Sequence, residues 1–413
     1  MVTNSITHNK TKILLWTLFF SSCFGLIVFN IAQLKYVFVF ILLYYLVKSK
    51  SFVPYKRLLL LYLMFIVLSC IYSMYFNKQN FLRTFVYSYD YLGLLFCFLI
   101  MHYRPNFHQL ERVVIILSVT FCCCYLFQWL IYPTKLFSGA SDELNITNSV
   151  FRMRMPCSIC AYCLFFYGIN QYILVRRKKY LIFALLGLIP VFIMGFRSLT
   201  FCMIIFAVIM IPFITKSFKK TFIWLFLGLG AAFCVGQLTI VQDKVDEMSE
   251  RQNSDQTFSN EDYIRYIEYD YYTKTIFDKP IERILGGGVP CETSTNYYKN
   301  ITDATETMHL YWADLGLVGL SFIIGIPAVL LLMFIAISII RNTKYERIQY
   351  IRFTILTVLL ASIATSMEFY RSGNLLIMSI YICLQYCYSV EYKNSLFSKK
   401  EYDTKNHSLL LVR

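Results

Sequence analysis

The sequence predicts an all-α polytopic membrane protein of about 12 transmembrane helices with one long extracytoplasmic loop that contains an amphipathic helix. Three observations predict it. Of 413 residues, 58% are hydrophobic and 15% charged, far from the roughly 45–50% apolar and about 25% charged composition of a soluble domain. The apolar residues fall in long runs, and about 20 of them in a helix cross a hydrocarbon core. The basic residues gather in short connections between those runs, where Lys and Arg set orientation in the bilayer. The net charge of +15 therefore does not point to nucleic acid as a partner, since no zinc spacing, basic helix or aromatic-basic platform accompanies it.

In lipid the backbone must satisfy its own hydrogen bonds, so each run reads as one helix. The runs fall near 13–30, 34–47, 58–76, 84–101, 112–132, 155–175, 180–196, 198–215, 221–240, 312–340, 353–368 and 374–390. The first follows the polar stretch MVTNSITHNKTK without a small-residue cleavage site, which predicts a retained span. The second and seventh are short, and the seventh and eighth nearly meet. The clusters KSK with YKR, RRKK, KSFKK and RNTKYER fall on one side if the helices alternate, which predicts that side, and both termini, to be cytoplasmic. The chain then divides into N-terminal helices (1–240), a large periplasmic loop (241–311), C-terminal helices (312–390) and a cytoplasmic tail (391–413). The uneven loops give no internal repeat of the transporter kind. Most of the 14 cysteines lie inside apolar runs, where they act as small hydrophobes. Cys291 stands in the large loop with no second loop cysteine to bridge, so no disulfide framework is expected.

The loop is chemically unlike the rest of the chain. Residues 241–308 hold fourteen Asp and Glu against seven Lys and Arg, and a segment this long is rarely a plain connector. Within it SNEDYIRYIEYDYYTKTIFDKP has a helical pattern, with Ser259 or Asn260 as cap and Pro280 just past the end. Tyr263, Tyr266, Tyr269 and Tyr272 recur every third residue, suiting a helix at headgroup level.

Five residues are candidates for chemistry. In ATETMHLYWADLGLVGL (304–320) the chain passes from polar to apolar at His309. His8, His102, His108 and His407 are cytoplasmic in this topology, which leaves His309 alone outside. A neutral imidazole there can take a proton from a hydroxyl; the alternative is an interfacial polar residue. Arg197 interrupts IMGFRSLTFCM, and an arginine at bilayer depth costs about 2.5–3.5 kcal/mol on the lenient scale, unless it snorkels from a helix end. Arg265 lies in the loop helix with Glu261 and Glu268 in reach; the alternative is an exposed intrahelical ion pair. Arg152 and Arg154 in VFRMRMPCS open the sixth helix from the outer side, as anion binders or as an interfacial anchor. Together these cations suit a phosphate, whose oxygens the guanidinium fork binds bidentately. LGGGVPC (285–291) lacks the Lys-Ser/Thr continuation of a phosphate loop and reads as a turn. No metal-ligand spacing appears among the outer residues.

The order RYIEYDYYTKTIFDKPIERILGGG, then HLYWADLGLVGL leading into a membrane helix, with FRS at an outer helix end, resembles the O-antigen polymerase and O-antigen ligase superfamily of bacterial envelope glycosyltransferases. The resemblance covers roughly residues 150–325. Leu310 stands where the family often carries an asparagine, a departure that weighs against the ligase branch. The resemblance implies glycosyl transfer at the outer leaflet of the inner membrane, with neither nucleotide sugar nor cofactor nor metal. The donor would be an undecaprenyl-pyrophosphate-linked oligosaccharide, and membrane lipids, a chain-length regulator and a flippase would be partners. It makes Arg197 and Arg265 the groups that neutralise the pyrophosphate, His309 the base, and Arg152 or Arg154 aids to carrier binding. A ligase moving polymer to lipid A core would share these residues. A lipid-linked oligosaccharide flippase is the reading from another class.

Overall fold

From Lys56 the chain reads KRLLLLYLMFIVLSCIYSMYF, an apolar run without Gly or Pro that stays helical for 21 residues. In this computed structural model the described residues are 32–138, 141–145, 150–195, 197–216, 264–364 and 367–410, with parts of 12–27. They are mostly helical. In order come α1 (Ala32–Lys48), α2 (Lys56–Phe76), α3 (Phe81–Tyr87), the bent α4 (Tyr89–Tyr103) and α5 (Phe107–Leu130). A hairpin of β1 (Ser141–Asn145) and β2 (Val150–Arg154) precedes α6 (Ile159–Val175), α7 (Lys179–Met194) and α8 (Arg197–Thr215). Then follow α9 (Ile264–Tyr271), α10 (Pro280–Leu285), α11 (Asn296–Thr302), α12 (Gly316–Ile324), α13 (Ile326–Asn342), α14 (Gln349–Ala364), α15 (Met367–Tyr370) and α16 (Asn374–Leu410).

This is the pattern of an all-α membrane protein, with fewer full spans than the sequence runs predict. Among the described residues three helices are long and apolar enough to cross a bilayer: α2, α5 and Asn374–Asn394 of α16. Two bent pairs bring the number to five, α3 with α4 at 59° and Asn296–Thr307 with Trp312–Ile324 at 85°. The expected single helices 84–101 and 312–340 are thus broken. Helices of 16 or 17 residues, such as α6, α7 and α13, reach only about 25 Å at 1.5 Å per residue, short of the roughly 30 Å core. The expected span 221–240 and parts of 13–30 lie outside the described residues, as do 241–263.

The break in 312–340 has its cause in packing between segments distant in sequence. Gly325 has φ +85 and ends α12, and a Cβ on it would sit 2.6 Å from Leu285 O. The glycine run 286–288 lies against that end, with Gly287 N donating to Phe322 O at 2.8 Å and Gly288 N to Ile323 O at 3.0 Å. The carbonyls left free where a helix stops are so satisfied by another segment. These amides are spent on a helix end, which supports the turn reading of LGGGVPC.

Two ends of the bundle differ in charge. At one, Tyr55 meets Asn342 (2.5 Å), Arg347 pairs with Glu111 (2.9 Å), Phe107 N donates to Glu391 (2.8 Å) and Asn170 Nδ2 donates to Arg347 O (2.8 Å). The connections that carry Lys48, Arg104, Arg176–Lys178 and Arg341–Arg347 all join helices at this end. At the other end lie the hairpin, the starts of α6 and α8, residues 264–312 and the α15–α16 corner. The hairpin corrects an expectation: Arg152 and Arg154 do not open the sixth helix but lie on β2, in register with Glu143 and Ser141. Alternation in VFRMR buries Met153, and Tyr125 Oη donates to Met153 O at 3.2 Å.

Candidate active site

Helix α9 positions the first group of candidate residues. Residues 265, 268 and 272 follow the i, i+3, i+4 rule and share the face turned to the loop before α12. Arg265 is half-buried, while Glu268 and Tyr272 are 1% and 0% exposed. Tyr266, Ile267 and Tyr269 form the exposed face, so the predicted tyrosine stripe splits: Tyr266 and Tyr269 face outward as expected, Tyr272 enters the core, and Tyr263 lies outside the described residues. Ser259, Asn260 and Glu261 also lie outside them. The helix widens into a π turn over Tyr272–Ile276. There Thr273 Oγ1 donates back to Tyr269 O at 2.6 Å, competing with the ladder, and Arg283 closes the end by donating to Thr273 O and Phe277 O.

His309 sits on the segment this face supports. The helix from Asn296 also ends in a π turn, Asp303–Thr307, and Met308 N returns to Asp303 O at 3.1 Å. His309 then adopts φ +57 and is exposed. A non-glycine residue there costs about 1–2 kcal/mol and persists only where neighbours over-determine it. Three hydrogen bonds do so. Leu310 N donates to Ala304 O (2.8 Å), Tyr272 Oη donates to Leu310 O (3.0 Å), and Tyr311 N donates to Glu268 Oε1 (2.9 Å). His309 stands three residues before the next helical turn, Trp312–Leu315, where the sequence also begins its apolar run.

Glu268 is a candidate residue that the sequence reading did not single out. It was expected as an exposed partner of Arg265, yet it is buried, and its Oε2 has no hydrogen-bond partner among the described residues. Burial pushes its carboxyl up from 4.5 to about 7; the Tyr311 N–H and Arg265 pull it down, and Asp314 pushes it further up. Its place at i−4 from Tyr272 and i+3 from Arg265 is the signal that could have marked it.

A second group lies at the same end. Arg371 and Glu368 are both buried, with Nη1 and Oε1 3.7 Å apart. Glu368 accepts from Ser158 Oγ at 3.2 Å, and Asn374 Nδ2 donates to Glu368 O at 2.7 Å. Asn374 Oδ1 accepts from Ile159 N at 3.2 Å, serving an orphan amide of the α6 start. Arg371 Nη1 meets Met194 Sδ at 3.7 Å, which brings the end of α7, and with it the start of α8 at Arg197, to this pair. β2 with Arg154 packs on α7. The Arg197 and Arg152 side chains lie outside the described residues. Trp312 and Tyr370, in edge contact at 4.7 Å, join the two groups. Arg371 also had a signal: Arg371-Ser372 repeats the pair Arg197-Ser198.

The structure thus brings Arg265 together with the His309 loop, and places Arg154 and the Arg197 backbone with Arg371. Cationic groups, an exposed imidazole and a buried carboxylate at one end can bind an anion and move a proton. A cleft of 320 Å³ lies at the opposite, basic end, lined by Phe52, Arg104, Tyr386 and Glu391 among others, away from these groups. The sequence matches no protein-family model and no curated protein.

Proposed function

We propose that this protein is a glycosyltransferase of the bacterial inner membrane that polymerises undecaprenyl-pyrophosphate-linked oligosaccharide repeats into O-antigen or capsular polysaccharide. One observation carries the reading: exposed His309, fixed in a left-handed turn against the helix bearing Arg265, at the end opposite the basic connections. By the positive-inside rule the basic end faces the cytoplasm, which puts both termini there and this site in the periplasm. With the short apolar helices as partial spans, the reading keeps a bundle of about 12.

A hydroxyl of the acceptor sugar attacks the anomeric carbon of the donor. The new C–O bond forms as the bond from that carbon to the pyrophosphate oxygen breaks, and the electron pair leaves with the diphosphate. Arg265 and Arg197 neutralise that charge, a stabilisation aimed at what develops in the transition state. His309 Nδ1 or Nε2 takes the hydroxyl proton, general-base work of about 10²–10⁴ in rate. Arg152 and Arg154 hold the carrier headgroup.

Gene deletion in a Gram-negative host tests the reading. Loss of a polymerase leaves core capped with single repeats. Bare core with accumulated lipid-linked polymer indicates a ligase instead, and single repeats trapped inside indicate a flippase.

A further inference from the structure

Two of the three bonds that fix the His309 segment come from one face of α9 and its π turn, at Glu268 and Tyr272. The Tyr272 bond is hydroxyl to carbonyl. The Glu268 bond is carboxyl to amide, made by a side chain that the fold buries. It also falls on Tyr311, two residues from the strained position.

We propose that Glu268 is a positioning residue, a clamp whose carboxyl oxygen holds Tyr311 N–H and thereby keeps the left-handed His309 backbone that presents the imidazole to water. The clamp rests on the transferase reading only for the reaction whose rate it sets. Its geometry stands on the 2.9 Å bond, the burial of Glu268 and the unpartnered second oxygen.

The clamp responds to pH. Among the described residues the charged groups facing Glu268 are Arg265 from its own helix and Asp314 from the Trp312–Leu315 turn, with the Tyr272 hydroxyl beside them. With its carboxyl raised to about 7, Glu268 is ionised above that pH and neutral below it. Between pH 6 and 8 its ionised fraction rises about tenfold; opening the segment returns the carboxyl to water and its ordinary 4.5, so ionisation favours the open segment and the clamp loosens as pH rises.

The test uses full-length protein in lipid nanodiscs, as wild type, Glu268→Gln and Glu268→Ala. Hydrogen exchange in peptides spanning 305–315 is measured at pH 6 and 8 and corrected for the intrinsic rate, because exchange reads the loop and not the base. Chain extension is measured with a synthetic undecaprenyl-pyrophosphate-linked repeat. Wild type should exchange here about tenfold faster at pH 8 than at pH 6. Glu268→Gln, which keeps an acceptor but does not titrate, should show no such difference, and Glu268→Ala, which removes the acceptor, should lower kcat about 10–100-fold with donor KM within about twofold. Unchanged exchange in α2 peptides shows that the variant is folded. A Gln variant that keeps the wild-type pH difference in exchange, or an Ala variant that keeps the wild-type kcat, overturns the clamp. A wild type that shows the pH-dependent protection but extends nothing overturns the transferase reading and leaves the clamp standing.

Discussion

Glu268→Gln should remove a pH dependence of stability whose sign and size follow from the burial of one carboxyl. The folded protein holds the Glu268 proton up to about 7, against an ordinary 4.5. Between those values the folded state binds more protons than the unfolded one, so stability falls as pH rises from about 4.5 to 7. The loss is absent below that window and complete above it. At about 1.4 kcal/mol per pKa unit the full loss is roughly 3 kcal/mol, of which about 2–3 kcal/mol falls between pH 5 and 8. Glutamine keeps an acceptor for Tyr311 N–H but does not titrate. Its NH₂ in place of Oε2 adds a penalty equal at both pH values, so comparing the two pH values removes it. Equilibrium unfolding in mixed micelles at pH 5 and pH 8 supplies the four stabilities needed. The variant should gain about 2–3 kcal/mol on wild type at pH 8 relative to pH 5. Equal differences at the two pH values refute the assignment of a raised carboxyl to Glu268.

Four further outcomes follow. His309→Ala should lower chain extension about 10²–10⁴-fold at normal protein level, and Arg265→Lys should impair it by loss of the planar fork; ladder patterns on gels after complementing a deletion strain check both. Glu368→Ala leaves Arg371 as a buried charge without its ion-pair partner and should destabilise by about 3–5 kcal/mol, read as lost melting temperature in detergent. Gly286→Ala would put a Cβ 2.5 Å from Gly325 N at φ +80, and should lower stability by more than about 1 kcal/mol, again by melting.

The helical membrane class was legible because apolar runs and basic connections are properties of composition along the chain. Continuity of the helices was not. The break at Gly325 depends on contact with Gly286, far away in sequence, and the bend between Tyr87 and Tyr89 falls inside one apolar run. The hairpin had a local sign in the alternation of Phe151, Arg152, Met153 and Arg154, outweighed by its position before an apolar run. At the site, Arg265 and His309 are of residue types whose chemistry reads from sequence alone. Glu268 reads as a solvated acid until the fold buries it beneath Tyr311, and a pairwise i, i+3 argument cannot see a partner from residue 311. Arg371 looked like part of a connection between spans; only packing against Met194 and Glu368 makes it a buried charge.

The central claim is that the end bearing Arg265 and His309 holds a lipid diphosphate. A cryo-EM structure of the full-length protein in nanodiscs with undecaprenyl pyrophosphate tests it most directly. The account predicts diphosphate density within hydrogen-bond reach of Arg265 and beside the His309 imidazole. Diphosphate density at the basic end, in the cleft by Arg104, with none near His309, would contradict it.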